Sequence, residues 1–277
     1  MWPTSRLLDL LRGEKRQNPY VTLRDEAYEY RFACNTKKER NRAERMFAKE
    51  AGTISWLAHE LREDDVFFDV GANIGVYTIF GARRISKKGC VVAFEPHIPN
   101  ADRLIENIFL NGQQEKIKLV TSAVSNYAHF ANFNYQSVLP ATSTSQFGAN
   151  CYEGEVFSPQ FVEVKHGCTL DELCDSGLLP IPNVVKIDID GLDFEVLEGM
   201  RGLLTAEYPP RSIQAELGTD SKPKILDLFS EVGYELKNKH WTQAGLDHIG
   251  RGNDPESYPH YGIFAPKHVS SIKGELP

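Results

Sequence analysis

The stretch FFDVGANIG, residues 67–75, joins an apolar run that ends in an acid to two glycines. Gly71 and Gly75 would free the backbone for a tight turn between a strand and the helix that follows it. Turns of this kind hold dinucleotides, nucleotide phosphates or adenosyl ligands at the start of a helix. The residue types around the turn therefore have to decide among these ligands.

Two common phosphate-binding patterns are missing from the sequence. The turn lacks GxGxxG because Asn73 occupies the place of the middle glycine, which disfavours a pyrophosphate that needs the closest backbone approach. No GxxxxGK motif followed by Ser or Thr occurs, so a P-loop is excluded. A nicotinamide-dependent oxidoreductase stays only as a less favoured alternative.

Two acids placed around the turn favour an adenosyl ligand. Asp69 closes the first strand, where a carboxylate can hold the ammonium group of S-adenosylmethionine (SAM) directly or through water. Glu95 closes the second strand, where an acid can accept hydrogen bonds from both ribose hydroxyls. Alone, Asp69 could equally stabilise the turn, and Glu95 could cap a helix before Pro96. Together the two acids predict SAM.

A second group of acids follows the strand VVKIDI. Asp188 and Asp190 fall on one side of this strand end, near the point where a transferred methyl group should lie. Because a sugar hydroxyl is a poor nucleophile, we predict that these two residues serve catalysis, with one of them acting as a base. Asp188 is also expected to order the cofactor. Lys186 lies deeper on the same side and is expected to pair with one acid.

Other roles for these acids stay open. Asp190 and Asp193 could instead begin the next helix favourably, and for Asp193 this is the preferred interpretation. Asp188, Asp190 and Glu216 could also gather oxygen ligands around Mg²⁺. Three acids at strand ends are common without a metal, so the sequence does not predict a metal site.

The elements that must position these residues alternate between strand and helix. Strands are predicted at VFFDV, CVVAFEP, IKLVTSAVS, VVKIDI, SIQAEL, YELKN and HYGIFAPK. With helices between most of them, this order predicts an α/β fold with a doubly wound, mostly parallel Rossmann-like sheet. No helical pattern separates the last two strands, which predicts an antiparallel hairpin at the C-terminal edge. Such an edge is typical of SAM-dependent methyltransferases rather than of NAD-binding domains.

A smaller N-terminal unit is predicted to precede the sheet. Residues 1–63 are expected to form a hairpin and a helical cap, and residues 64–277 the SAM-binding methyltransferase domain. Within the cap, residues 36–61 are expected to form a helix whose many charged side chains make a solvated face rather than a binding patch. A short amphipathic helix is expected before the hairpin, from Leu7, Leu8, Leu10 and Leu11.

Several polar segments are candidates for the acceptor side of the site. The loop Gln136–Cys151 and the segment Asp247–Pro259 are long and irregular, as lids and binding loops often are. His240 and Trp241 end a predicted strand and could overhang the same space. His97 is expected to be a surface or cofactor-rim residue rather than a base, and His166 is expected to be structural.

The motifs together resemble a known family. FFDVGANIGVYT, FEPHIPNADRLIENIFLNG, TLDEL and VVKIDIDGLDFEVLEG are similar, in this order, to successive motifs of FkbM-type methyltransferases. The resemblance implies a class I methyltransferase fold, SAM as the donor, and O-methylation of a hydroxyl on a saccharide or another secondary metabolite. It also implies a set of cofactor-binding residues: Asp69, Gly71, Asn73, Gly75 and Glu95, with Ser122, Ala123 and Val124 beside the adenine.

The chain departs from the family pattern in two places. It reads KIDIDGLD where relatives commonly read KIDVEGAE, so the carboxylates at Asp190 and Asp193 are each one methylene shorter. Leu217 follows Glu216, whereas many relatives have a histidine just after that acid. If that histidine is a base in relatives, this protein must do without it or use another residue.

Bulk composition bounds the remaining choices. The 277 residues are 41% hydrophobic and carry a net charge of −7, which allows a sizeable core and gives no basis for nucleic-acid binding. Five cysteines without CxxC spacing favour a reducing, cytoplasmic location over a disulfide framework or a zinc ribbon. No stretch is long and apolar enough to predict a membrane span.

We therefore predict a SAM-dependent methyltransferase that acts on a small hydroxylated acceptor, a saccharide or a metabolite. A homodimer is one option for its assembly. The alternative from another class is a non-catalytic adenosyl-binding module, which would keep the turn but have a blocked acceptor cavity.

Overall fold

The computed structural model of the chain describes residues 19–152 and 155–267. The predicted helix at Leu7, Leu8, Leu10 and Leu11 lies outside these residues. Within them, no helix combines the length and the apolar composition that crossing a membrane requires.

An antiparallel hairpin and three short helices form the described N-terminal part. The predicted hairpin is confirmed, with strands β1 (Tyr20–Arg24) and β2 (Glu29–Ala33). The helices that follow are α1 (Lys37–Glu44), α2 (Met46–Lys49) and α3 (Ala51–Glu60).

The prediction of one continuous helix over residues 36–61 is wrong. The chain leaves helical geometry at Glu50, where φ is −136° and ψ is 61°. The carboxylate of Glu50 is buried and accepts a hydrogen bond of 2.6 Å from the Tyr77 hydroxyl. The break turns this acid towards the inside of the molecule.

Strands and helices alternate along the rest of the chain. The first elements are β3 (Val66–Val70), α4 (Val76–Arg84), β4 (Cys90–Phe94), α5 (Ile98–Leu110) and β5 (Ile117–Val120). A strand-rich segment follows, with β6 (Ala123–Val124), β7 (His129–Tyr135), β8 (Gln146–Phe147), β9 (Cys151–Tyr152), β10 (Glu155–Val156), β11 (Phe161–Cys168) and the helix α6 (Leu170–Asp175). The last elements are β12 (Val184–Ile187), α7 (Asp193–Glu198), α8 (Arg201–Thr205), β13 (Ser212–Leu217), α9 (Lys222–Glu231), β14 (Tyr234–His240), α10 (Gln243–Gly250) and β15 (His260–Pro266).

The central sheet has the order β14–β15–β13–β12–β3–β4–β5. The strands from β13 to β5 pair in parallel, whereas β15 runs antiparallel to both β13 and β14. This confirms the doubly wound, mostly parallel sheet with an antiparallel C-terminal edge, which is the class I methyltransferase fold. The helix α10 between β14 and β15 was not predicted, and Thr242 begins it by accepting a hydrogen bond from the Gly245 amide at 3.2 Å.

A second sheet, with the order β6–β11–β7–β8, was not predicted; the predicted loop Gln136–Cys151 stays largely irregular and contributes only β8 to this sheet. The antiparallel pair β7–β11 exposes Phe130 and Val164 on one face and buries Phe133 and Tyr135 on the other. This alternation is the period of a strand with one solvated face, and the abundance of Ser, Asn and Gln around it obscured the pattern. The predicted strand IKLVTSAVS is also split, because Ala123 pairs with Gly167 of the second sheet.

The N-terminal part shares a hydrophobic core with the central sheet. Tyr30, Phe32 and Trp56 belong to the same buried cluster as Phe67 and Phe80. The boundary after residue 63 stays a prediction about folding units. The shared core ties both sides of that boundary together.

A buried ion pair fastens α1 to α5. Glu39 is fully buried and its Oε1 accepts a hydrogen bond of 2.6 Å from the Arg103 Nε, while its Oε2 accepts the Asn35 and Thr36 amides. Removing one partner of such a pair leaves an uncompensated charge in the interior, which is more damaging than the pair is stabilising.

We predict that Arg103→Ala lowers the free energy of unfolding by about 3–5 kcal/mol. The matched control is Lys87→Ala, which removes an ion pair with Glu115 whose side chains are 81% and 69% exposed. This control should change the stability little, because solvent screens exposed pairs. Urea unfolding of both variants measures the difference, and equal losses would contradict the role given to the buried pair.

Candidate functional site

The turn after β3 has the backbone geometry that its residue types predicted. Gly71 has φ of +84°, and a Cβ there would lie 2.0 Å from the Asp188 carbonyl oxygen. Gly75 has φ of +89°, and a Cβ there would lie 2.2 Å from Leu104 Cδ1. Asn73 adopts φ of +52°, which asparagine tolerates better than most residues. Each of these positions therefore restricts the residue type through space or through conformation.

Glu95 binds the turn from the end of β4. Its Oε2 accepts the Asn73 amide at 2.6 Å, and its Oε1 accepts the His97 amide at 2.9 Å. Burial raises the pKa of Glu95 to about 7, although the hydrogen bonds from these two amides oppose that rise. The carboxylate is therefore fixed in orientation, with further lone pairs that can accept hydrogen bonds.

Asp69 lies beneath the turn rather than in the cavity beside it. Its side chain is fully buried, its Oδ2 accepts the Thr78 hydroxyl at 2.6 Å, and its Oδ1 lies 3.5 Å from Lys186 Nζ. Burial raises the pKa of Asp69, and the charge of Lys186 opposes that rise. Its predicted role in cofactor binding stays a prediction, and in this position it would act through its neighbours.

Lys186 pairs with Asp188, which confirms the prediction that it pairs with an acid on its own side of the strand. Lys186 Nζ donates to Asp188 Oδ2 at 3.2 Å, and the Tyr261 hydroxyl donates to Asp188 Oδ1 at 3.3 Å. Burial pushes the pKa of Asp188 upward, but the charges of Lys186, Lys49 and Arg42 and the hydrogen bond from Lys186 together outweigh it and leave the pKa below its usual value. Asp188 is therefore ionised at neutral pH.

Asp190, Asp193 and Glu216 surround Asp188. Asp190 Oδ2 accepts the Thr144 amide at 2.9 Å, and Asp193 Oδ1 accepts the Glu216 amide at 3.2 Å. Burial together with the charge of Asp188 raises the pKa of all three, to about 7 for Asp193 and to about 9 for Glu216. Glu216, with a pKa of about 9, is therefore protonated at neutral pH.

Asp193 is the first residue of α7, as predicted, but its carboxylate reaches across to two other elements. It accepts the amides of Ile189, at 3.5 Å, and of Glu216 in β13. It therefore fastens the loop after β12 to the neighbouring strand.

One cavity of about 240 Å³ brings most of these residues together. Its lining includes Gly71, Asn73, Glu95, Asp188, Asp190 and Glu216. An adjoining space of about 40 Å³ is mainly apolar and is lined by Ala123, Val124, Phe133 and Phe147. An apolar slot beside an acid of the Glu95 kind is suited to a nucleoside. Of the predicted residues, Asp69, Gly75 and Ser122 line neither space.

Sequence reasoning missed the residues that close the cavity from the N-terminal side. Arg42 and Lys49, assigned to a solvated face, line the cavity instead, so that assignment is wrong for both. The two residues lie in separate short helices, so apolar residues show no helical periodicity around them from which their position in the cavity could have been predicted. The predicted loop contributes residues 142–145 to the same wall, where the Thr142 carbonyl accepts the side-chain amide of Asn73 at 2.9 Å.

The other candidates lie around the cavity. His97 lines it and His240 does not; His240 instead stacks on Tyr261 at 5.2 Å, and burial lowers the pKa of His240 to about 4. Trp241 donates to the Pro255 carbonyl at 3.2 Å, and His166 packs against Phe130 at 5.0 Å. None of residues 247–259 lines the cavity. Across residues 19–152 and 155–267, no three His, Cys, Asp or Glu side chains are grouped to hold one metal ion.

The crowding of acids predicts a pH-dependent stability. Glu216 has a pKa of about 9 in the fold, above its ordinary value of 4.5. Its contribution to the free energy of unfolding is therefore complete below about pH 4.5 and is lost as the pH rises towards 9. Glu216→Gln mimics the protonated acid at every pH. We therefore expect its melting temperature to exceed that of the wild type near pH 9 and to match it near pH 5.

Thermal unfolding across this pH range measures the effect. Glu207→Gln, at an exposed position, is the matched control and should follow the wild type throughout. An equal melting temperature for Glu216→Gln and wild type near pH 9 would contradict the raised pKa of Glu216.

Comparison with known proteins agrees with this geometry. The model of the methyltransferase FkbM domain matches residues 69–236. Hexuronic acid methyltransferase AglP of Haloferax volcanii is 35% identical over 156 residues, which are 56% of this chain and 58% of that protein. The matched region thus spans little more than half of the relative's length.

Two solved structures are similar at a lower level. Methyltransferase FkbM from Methylobacillus flagellatus KT aligns at 15% identity and a TM-score of 0.47, covering 74% of this chain and 44% of that one. Precorrin-6y C5,15-methyltransferase from Geobacter metallireducens GS-15 aligns at 20% identity and a TM-score of 0.44, covering 79% and 86%. Similarity at this level does not indicate a shared chemistry. The domain match, over more than half of the sequence, is sufficient by itself: the chain belongs to the FkbM methyltransferase family, with SAM as its cofactor.

Proposed function

We propose that this protein transfers the methyl group of SAM to a hydroxyl of a saccharide. The observation that supports the proposal is the single cavity lined by both the glycine turn with Glu95 and the acids Asp188 and Asp190. The cavity therefore combines residues suited to an adenosyl group with acids able to accept a proton.

The cavity fits the cofactor chemically. Glu95 would accept the ribose hydroxyls, and Ala123 and Val124 would lie against the adenine in the apolar space. Bound SAM supplies a methyl group on a sulfonium centre, which is ready for in-line displacement. Asp188, held ionised by Lys186, provides a fixed negative charge in the same cavity as that positive centre.

Asp190 is the proposed base. Thr144 fixes one of its carboxylate oxygens, which leaves the other to accept the proton of the acceptor hydroxyl. Burial and the charge of Asp188 raise the pKa of Asp190, and a more basic carboxylate is a better proton acceptor. Glu216 is less suited, since its pKa of about 9 keeps it protonated at neutral pH.

The saccharide acceptor rests on the relative whose name is hexuronic acid methyltransferase. The polar wall formed by residues 142–145 and the cations of the N-terminal part suits a hydroxylated ligand better than an apolar one. Membership of a methyltransferase family disfavours the nicotinamide-dependent alternative. An adenosyl-binding module without activity is the remaining alternative, and a turnover assay separates the two.

We also propose a reducing, cytoplasmic location. All five cysteines are unpaired in the structure, which supports it. A homodimer, and the absence of a nucleic-acid partner, stay predictions from the sequence.

Replacing Glu95 should weaken cofactor binding. In Glu95→Gln, one of the two acceptor oxygens that face the Asn73 and His97 amides becomes a donor, so the turn loses a hydrogen bond. We expect the dissociation constant for SAM to rise at least about tenfold in titration calorimetry. Glu63→Gln, at an exposed position, is the control and should bind SAM as the wild type does. Unchanged affinity in folded Glu95→Gln would remove Glu95 from the cofactor site.

Asp190→Asn tests the proposed base. Asparagine tolerates the backbone φ of +55° found at Asp190, and its oxygen can still accept the Thr144 amide, so the variant should fold. We expect SAM affinity to be kept and turnover with a hexuronic acid acceptor to fall by about 10²-fold or more. The control is Asp247→Asn, at an exposed position outside the cavity. Full turnover in Asp190→Asn would assign the proton transfer to another group.

A further inference from the structure

Arg42 differs from Lys49 and Lys186, the other cations near the cavity, in forming no direct ion pair with a carboxylate of the described residues. Lys49 pairs with Glu50 at 2.8 Å, and Lys186 pairs with Asp188 at 3.2 Å. In the described ranges 19–152 and 155–267, no carboxylate lies within 4.0 Å of the Arg42 side-chain nitrogens. Its guanidinium instead donates to the Ser143 hydroxyl at 2.7 Å.

Three of the acids that line the cavity already accept hydrogen bonds from other groups. Glu95 accepts two backbone amides, Asp188 accepts Lys186 and Tyr261, and Asp190 accepts the Thr144 amide. Arg42 attracts these three acids from a distance and lowers their pKa values, but it donates no hydrogen bond to them. Its N–H donors are therefore available to a ligand group that enters the cavity.

The guanidinium is well suited to one kind of ligand group. It presents N–H donors in a planar fork that matches the two oxygens of a carboxylate, and such charge-assisted pairs are stronger than neutral hydrogen bonds. The contact with Ser143 uses one nitrogen and holds the side chain in place.

The position of Arg42 indicates where in the cavity a bound carboxylate would lie. Ser143 follows Thr142, whose carbonyl accepts the side-chain amides of Asn73 and Asn100 at 2.9 Å each. Arg42 is thereby tied to the wall next to the cofactor turn, and it lines the same cavity as Asp188 and Asp190. A carboxylate of either ligand of the proposed reaction would be within the space that this wall encloses.

We propose that Arg42 is the carboxylate-binding residue of the cavity. The proposal rests on the proposed function, and the carboxylate comes either from the methionine end of SAM or from an acidic acceptor sugar. The two sources share one chemistry and differ in which ligand loses affinity when the guanidinium is removed.

The test uses binding rather than activity. Arg42→Gln removes the charge and keeps much of the volume, and Arg45→Gln makes the same change at an exposed position outside the cavity lining. Titration calorimetry of wild type and both variants compares S-adenosylhomocysteine with its decarboxylated counterpart. A second series, with S-adenosylhomocysteine present, compares glucuronate with glucose.

If the cofactor supplies the carboxylate, the wild type prefers S-adenosylhomocysteine over the decarboxylated compound by roughly 10- to 100-fold, and Arg42→Gln loses that preference. If the acceptor supplies it, the wild type binds glucuronate more tightly than glucose, and Arg42→Gln reduces only the binding of glucuronate by a similar factor. In both cases Arg45→Gln behaves as the wild type.

The proposal is overturned if Arg42→Gln matches Arg45→Gln for all four compounds, or if the wild type shows no preference for the carboxylate in either pair. That failure is separate from failure of the proposed function. A protein that binds these ligands through Arg42 but transfers no methyl group from SAM refutes the function and keeps the site. A protein that transfers the methyl group normally, but in which Arg42→Gln leaves the binding of all four compounds unchanged, refutes the site and keeps the function.

Discussion

A fully buried ammonium group at the centre of the sheet constrains the whole site. Lys186 lies on β12 opposite Asp69 of β3, and Nζ reaches both Asp69 and Asp188. An uncompensated charge at such depth would cost several kcal/mol, so the two acids cannot be neutralised or moved independently of it. The parallel register of β3 and β12 thereby determines where the ionised Asp188 stands. Burial, together with that fixed charge of Asp188, raises the pKa of Asp190, Asp193 and Glu216.

Much of this arrangement could be predicted because it depends on strand ends. In a parallel sheet the carboxyl ends of neighbouring strands meet at one edge, so Glu95 after β4 and Asp188 after β12 had to approach the same turn. The glycines at 71 and 75 were informative for the same reason, since the turn leaves no space for a side chain at either. The depth of Asp69 was less predictable. A strand-terminal acid can face the ligand or the helix layer, and Thr78 and Lys186 draw this one inward.

What the sequence concealed was the second sheet and the N-terminal wall. Phe133 and Tyr135 alternate with polar residues as a half-buried strand requires, but the small polar residues around them have the composition of a loop. Arg42 lies in a helix of low hydrophobicity that ends after eight residues, and its contact is with Ser143, 101 positions along the chain. No local periodicity encodes a contact at that separation.

The pair formed by Glu39 and Arg103 has a consequence for the order in which the chain folds. The two residues are 64 positions apart, and Glu39 is buried only when α5 is in place to compensate it. During synthesis the hairpin and the helices α1 to α3 emerge before the sheet, yet they must stay incompletely docked until the first two strand–helix units of the sheet have been made. Contacts between residues so far apart in the sequence slow folding, because the entropy of closing a long loop is lost before the stabilising contact forms. The hairpin and helices therefore keep apolar side chains exposed until α5 has formed, and exposed apolar surface at this stage of folding favours aggregation.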